Sequence, residues 1–210
     1  VTGRPLLLDL CCGAGGAAVG YWRAGFDVIG VDVNNQPRYP FRFVQCDWRE
    51  GLDAFHPIVR AVHASPPCQG YSRMRHLPWL ARKEYPMLIG EVRCQLQAAG
   101  LPWVIENVED APMPCSTVLC GQTFGLTLYR HRRFGSSHLL MGPPHERHRR
   151  VITPGQMLGD RHRVSTWERA SRLPDVMGCE WMTQKECGQA IPPAYTEWIG
   201  SQLLPALEVV

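Results

Sequence analysis

The sequence predicts an α/β fold: a mostly parallel sheet with helices on both faces and a functional edge at the C-terminal ends of its strands. Three observations predict it. Short apolar runs recur along the first half of the chain, and each ends in a glycine turn or an acid. Stretches of helical spacing lie between several of them. The length, 210 residues, suits one domain (1–210) in which a single sheet is complete.

The elements follow in order. Leu6-Leu7-Leu8-Asp9-Leu10 reads as a strand that enters the turn Cys11-Cys12-Gly13-Ala14-Gly15-Gly16, and a helix is predicted over 17–24. Glycines there let the backbone approach a ligand closely. The spacing is not G-x-G-x-x-G, which disfavours a nicotinamide cofactor. The run 26–31 ends at Asp32, where a ribose diol is usually held, and the run 41–46 ends at Asp47. A lone strand-end Asp is more often a helix cap than a ligand, but successive ends in one order are harder to set aside. Residues 85–99 predict an amphipathic helix with Leu88, Val92 and Leu96 on one face. Trp103-Val104-Ile105-Glu106-Asn107-Val108 is a strand carrying a carboxylate at its end. Downstream, 164–172 predicts a helix opened by the capping box Ser165-Thr166-Trp167-Glu168 and stopped by Leu173-Pro174-Asp175. A short helix over 183–187, a Pro192-Pro193 turn and a final helix over 195–204 complete the chain.

The chemistry concentrates at Ser65-Pro66-Pro67-Cys68-Gln69-Gly70-Tyr71-Ser72. Two prolines fix φ and remove two backbone donors, so they hold the next thiol in a rigid loop. Taken alone, the octapeptide fits a Pro-Pro turn with a buried Cys equally well. Glu106 could be kept protonated in a partly dry cleft and donate to a ring nitrogen. The run Leu128-Tyr129-Arg130-His131-Arg132-Arg133-Phe134 offers guanidinium forks for a base oxygen or a phosphate.

In this order, Asp9 to Gly16, Pro66-Pro67-Cys68-Gln69, Glu106-Asn107-Val108, Arg130-x-Arg132 and Gly188-Gln189-Ala190-Ile191-Pro192-Pro193 resemble the C5 cytosine methyltransferases over nearly the whole chain. The wording of 128–134 and 191–196 is similar to the short phage and prophage branch. The resemblance implies a Rossmann-like S-adenosylmethionine-dependent methyltransferase fold. It implies Cys68 as nucleophile towards cytosine C6, with its pKa lowered by Arg130 or Arg132. Glu106 would act at N3, and Arg132 with Arg130 would act at O2 and the adjacent phosphate. Asp9, Cys11, Gly13, Gly15, Gly16 and Pro66 would frame S-adenosylmethionine, with Asp32 on its ribose and Asp47 on its adenine. Pro67, Gln69, Ser72, Asn107 and Arg133 would lie on the substrate side, Asn107 ordering the loop. The chain departs from the family at four places. Cys11 replaces an aromatic residue that stacks on adenine, a loss of roughly 1 kcal/mol. Asp32 replaces Glu, Gln189 replaces Asn, and Thr127-Leu128 replaces Pro-Gln.

Length sets a further departure. Site-specific members insert a target recognition domain between the arginine motif and the last motif. Here 135–187 must also supply core strands and a helix, so only a short basic insert, 137–166, stands in its place. From 130 to 163 there are eight arginines (130, 132, 133, 147, 149, 150, 161 and 163) against Glu146 and Asp160. Eight positive against two negative leaves +6, and the whole chain is +3, so the rest is −3. That asymmetry favours a polyanion partner: DNA, most simply double-stranded, with RNA such as a structured tRNA loop as the alternative. A non-catalytic nucleic-acid-binding relative is a third reading, disfavoured by the intact Cys68, Glu106 and Arg132. The stretch Arg73-Met74-Arg75-His76-Leu77-Pro78-Trp79 fits a loop that closes on a flipped base, or an ordinary exposed loop. His145 and His148 lack a cysteine pair at zinc spacing, so no metal is expected. No apolar run approaches membrane-spanning length, no secretory signal opens the chain, and nine scattered cysteines favour free thiols. A cytoplasmic location, in a bacterium or an infected host, is the expectation. Oligomeric state is not read from the sequence.

Overall fold

Strand β1 (Leu6–Leu10) pairs in parallel with β2 (Asp27–Asp32) on one side and β4 (Ala61–Ala64) on the other. Beyond them lie β3 (Arg42–Gln45) outside β2 and β5 (Trp103–Val108) outside β4, both parallel to their neighbours. The antiparallel strand β7 (Arg132–Ser136) follows β5, and β6 (Thr117–Leu119) forms the edge. The order is β3-β2-β1-β4-β5-β7-β6. The chain winds outward from β1 and then restarts at β4, so the crevice at the C-terminal ends of these two strands is the switch point where ligands bind such sheets. This computed structural model describes residues 3–72, 84–145, 148 and 172–207. The 73–79 loop, most of the 137–166 insert with its arginines, and the 165–168 capping box lie outside them.

Alternation in the strands explains the two layers. Leu7, Val28, Ala61 and Val104 face α1 (Gly16–Ala24) and the C-terminal helix, and there they pack with Tyr21, Phe26, Tyr195 and Ile199. Leu8, Leu10, Ile29, Val31, Val62 and Ile105 face α2 (Trp48–Phe55) and α3 (Ile89–Ala99), against Trp48, Leu52, Val92 and Leu96. Each fully buried aliphatic side chain stabilises the fold by roughly 1.5–3 kcal/mol. Two short helices, α4 (Leu173–Met177) and α5 (Gln184–Gln189), precede the long α6 (Pro193–Ala206). Met177, Cys179, Met182 and Cys187 close over Ala14 and Leu128, joining this segment to the glycine turn.

Several boundaries differ from expectation for physical reasons. Helix α3 starts at Ile89, not at 85, because Pro86 keeps Tyr85 out of helical geometry. Pro174 stands in the first turn of α4, where a residue needs no backbone donor; the helix expected over 164–172 lies, save for Arg172, outside the described residues. Thr183 caps α5 through a reciprocal box with Glu186. Edge strand β6 has only three residues, too few for a pattern to reveal. It lies upstream of 135–187, and the described residues from 137 onward add no strand to the sheet.

Candidate active site

The glycine turn is fixed by its packing. A Cβ on Gly16 would sit 2.3 Å from the Ile191 carbonyl oxygen, so only glycine lets α1 lie against the residues before α6. Gly13 has φ 50°, and a Cβ there would meet nothing within 4 Å. Its face opens into a cleft of about 380 Å³ at the strand ends, a size that suits a small-molecule ligand. Cys11, Cys12, Gly13, Ala14 and Gly16 line that cleft. Gly15 lies behind the wall, against Pro40 and Tyr39.

The acids divide into two kinds. Asp32 lines the cleft at the end of β2; its carboxylate accepts from the Gly13 amide at 3.0 Å and the Asn34 amide at 2.9 Å. Asp47 also lines the cleft and caps α2, accepting from the Arg49 amide at 2.9 Å. Cap and cleft wall are therefore the same residue. Asp9 differs, being 0% exposed and absent from the lining. Tyr39 donates to its Oδ2 at 3.3 Å, while Oδ1 has no hydrogen-bond partner among the described residues. Burial raises its pKa to about 8.

On the other side of the switch point stands the thiol loop. Asn107 is fully buried; its side-chain amide donates to the Pro66 carbonyl at 2.8 Å, and its Oδ1 accepts from the Val108 amide at 3.0 Å. It ties β5 to the Pro-Pro loop, as the sequence suggested. Ser65, Pro66, Pro67, Cys68 and Gln69 then line the cleft together with Glu106 and Arg132. Arg132 Nε lies 3.0 Å from Glu106 Oε1. Glu106 is 6% exposed, and burial raises its carboxyl above the ordinary value against the pull of Arg132. The expectation of a lowered Cys68 pKa is corrected. Burial and then Glu106 push the thiol up, and Arg132 and Arg130 only partly oppose them.

A buried polar chain supports Glu106 from behind. Tyr21 Oη lies 3.0 Å from His63 Nδ1, His63 Nε2 lies 2.9 Å from Ser65 Oγ, and Ser65 hydrogen-bonds Glu106. His63 is 0% exposed, and burial lowers its pKa to about 3, so it is neutral with one proton. With Glu106 ionised, Ser65 donates to it. His63 Nε2–H must then donate to Ser65, and Tyr21 to His63 Nδ1. Strand alternation puts Asp9, His63, Ser65 and Glu106 on one sheet face, with Asp9 beside His63 in register.

Three expected contacts lie elsewhere. Arg130 is half-buried, with φ 35°, and its guanidinium donates to the carbonyls of Cys187 (2.9 Å), Gly188 (3.0 Å) and Ala190 (2.6 Å). It clamps the end of α5 and is not among the lining residues. Burial, and next Arg132, lowers its pKa to about 9, which leaves it a cation at neutral pH. Arg133 follows Arg132 on β7 and so points to the other face, donating to the Glu109 carbonyl at 2.8 Å and Ser116 Oγ at 3.0 Å. Ser72 donates its amide to the Cys68 carbonyl at 3.0 Å and lies outside the lining.

No family model and no curated protein matches the chain. Solved structures do match. The S. pombe Dnmt2 methyltransferase superposes with a TM-score of 0.59 at 14% identity, covering 97% of this chain and 99% of that one. The Entamoeba histolytica methyltransferase EhMeth gives 0.60 at 11% identity, covering 98% and 99%. The chain has the fold of these methyltransferases. The antiparallel β7 between β5 and β6 is an element that the apolar runs alone did not reveal.

Sequence reading missed Tyr21, His63, Ser65 and Tyr39. A lone His in an apolar strand reads as core, and only the cross-strand register links it to Glu106. It also passed over a second cluster. His145 and His148 were set aside for want of nearby cysteines, yet the fold brings Cys120 and His131 to them.

Proposed function

We propose that the chain methylates C5 of cytosine in DNA, using S-adenosylmethionine as methyl donor. The observation that carries the reading is a single cleft lined by the Gly13 turn, Asp32 and Asp47 on the β1–β3 side and by Cys68, Glu106 and Arg132 on the β4–β7 side. The first group fits the cofactor. Gly13 presents open backbone, Asp32 offers carboxylate oxygens for a diol, and Asp47 stands where an adenine amine needs an acceptor. Cys11 and Pro66 supply its walls. Asp9 and Gly15 act from behind, as the frame of the turn. When bound, S-adenosylmethionine supplies an electrophilic methyl group.

The second group performs the attack. Cytosine C5 is a poor nucleophile until a sulfur adds at C6. As the Cys68–C6 bond forms, the C5=C6 electrons move into the ring, and the Glu106 carboxylate takes the proton released by sulfur and delivers one to N3. The proton lost from sulfur balances the one gained at N3, so no net charge accumulates in the cleft. Burial raises the Glu106 carboxyl from its ordinary value, the direction that suits a group that takes up a proton and passes one on in the same step. Arg132 positions Glu106 and faces the base oxygen. Pro67 and Gln69 bound the pocket beside the sulfur. After C5 takes up the methyl group, water removes the C5 proton and the Cys68–C6 bond breaks. The cytosine must leave the duplex first, at a cost of roughly a few kcal/mol repaid within the pocket.

The test is transfer of labelled methyl from S-adenosylmethionine to duplex DNA and structured RNA in one competition, with Cys68→Ala in parallel and nucleoside analysis of the products. Label in DNA as 5-methylcytosine, lost in the variant, is the expected result. Label confined to RNA would move the substrate and keep the chemistry. No label in either would leave a binding module. DNA carrying 5-fluorocytosine is expected to trap an adduct on Cys68, because fluorine blocks the final elimination.

A further inference from the structure

Outside the cleft, Cys120, His131, His145 and His148 turn their donor atoms towards one point, all within 4.8 Å of one another. His131 Nε2 lies 3.3 Å from His145 Nε2 and 3.0 Å from His148 Nε2, and Cys120 Sγ lies 3.7 Å from His148 Nε2. Tetrahedral zinc, with Zn–N about 2.0–2.1 Å and Zn–S about 2.3 Å, sets its nitrogens roughly 3.3–3.4 Å apart and sulfur roughly 3.5 Å from nitrogen. The observed spacings are close to those values.

The outer contacts also have the form a metal site requires. His131 Nδ1 lies 3.4 Å from the Glu109 carboxylate, and His148 Nδ1 lies 3.1 Å from Gln122 Oε1. Both partners are acceptors, so both Nδ1 atoms carry hydrogen and both Nε2 atoms present lone pairs to the centre. Two lone pairs 3.0 Å apart repel unless a cation lies between them. A shared proton relieves one such pair, but it does not draw in a third imidazole and a thiol. The Tyr129 ring stacks on His148 at 3.5 Å and 17°, covering one side.

We propose that these four side chains bind one zinc ion. Four protein ligands leave no open position, so the ion is structural. Cys120 follows β6, His131 immediately precedes Arg132 on β7, and His145 and His148 open the segment that carries Arg147, Arg149 and Arg150. The ion therefore staples the start of the arginine-rich segment to the sheet edge, one residue from a cleft-lining arginine.

The experiment is elemental analysis of the tag-free full chain, purified from zinc-supplemented cells, with cobalt(II) titration of the metal-stripped protein. About one zinc per chain is expected. Cobalt should give the visible bands of a tetrahedral site together with a sulfur-to-cobalt charge-transfer band that Cys120→Ser abolishes. His145 is exposed, so His145→Ala is expected to keep the native circular dichroism while its metal affinity falls at least about tenfold. Less than about a tenth of a zinc per chain, with no tetrahedral cobalt spectrum, would overturn the proposal; so would zinc retained in both variants. None of these readouts involves methyl transfer, so the site stands or falls separately from the proposed reaction.

Discussion

Cys68 holds its proton while the cleft contains no base, and the reason lies in two neighbours of opposite sign. Burial and Glu106 raise its pKa; Arg132 and, less strongly, Arg130 lower it. Alkylation of Cys68, followed by peptide mass spectrometry across pH, is therefore expected to show a midpoint above that of an ordinary cysteine. Glu106→Gln removes the negative charge and should move the midpoint down. Arg132→Ala should move it up. A Glu106→Gln midpoint equal to that of the native chain would refute the charge coupling. Methyl transfer in Glu106→Gln should still fall by roughly 10²–10⁴-fold, because the proton donor to N3 is gone. At this scale placement was legible where residue type stands out: Cys68 and Glu106 line one cleft, and Asn107 bonds the Pro66 carbonyl. It was less legible for Arg130, Arg132 and Arg133, three like residues within four positions. Only the strand boundary at 132 and the alternation after it decide which guanidinium meets the cleft.

The clamp made by Arg130 belongs to the scale of elements. Its fork joins the turn before β7 to the end of α5, where unpaired carbonyls and the negative end of the helix attract a cation. Arg130→Ala leaves the Cys187, Gly188 and Ala190 carbonyls, part-buried to exposed, without their donor and is expected to cost roughly 1–3 kcal/mol in urea unfolding. The salt dependence of nucleic-acid binding should be unchanged, since the guanidinium does not reach a phosphate. A salt slope reduced by about one would instead restore the phosphate role. Asn107→Ala removes the tie from β5 to the Pro66 carbonyl. We expect a loss of about 1–3 kcal/mol in stability and a fall in kcat larger than any rise in KM, since the loop carries Cys68, the nucleophile proposed above. Elements with long apolar periods, β1, β2, β5 and α1, were legible to within a residue or two. Strand β6 was not, because three residues carry no period. The start of α3 was misplaced because Pro86 acts against the helical spacing around it.

At the scale of the whole molecule, the buried row of Asp9 and His63 couples stability to pH in two opposing ways. His63 has its pKa lowered from the usual 6.5 to about 3, so the folded state refuses a proton that the unfolded chain accepts. Its contribution is complete above about 6.5 and is lost as pH falls towards about 3. Asp9 has its pKa raised from 3.8 to about 8, so the folded state keeps a proton that the unfolded chain releases. Its contribution is complete below about 4 and is lost as pH rises towards about 8. Between about 4 and 6.5 the two slopes have opposite sign and cancel. Below that window only His63 acts of the two, and stability falls with acid. Above it only Asp9 acts, and stability falls until about pH 8 and then levels. The acid limb spans about one pKa unit and the alkaline limb about one and a half, so each amounts to roughly 1–2 kcal/mol at about 1.4 kcal/mol per unit. Urea midpoints measured from pH 3.5 to 9 should trace this plateau with two shoulders. Asp9→Asn, neutral at every pH, should abolish the alkaline shoulder and let the acid fall begin near pH 6.5, and His63→Gln should abolish the acid shoulder and let the alkaline fall begin near pH 4. An Asp9→Asn chain whose midpoints fall between pH 6.5 and 8 as steeply as those of the native chain would show that the buried carboxyl is already ionised at neutral pH. Tyr39 and the glycine turn would then have to bear a full negative charge behind the cleft.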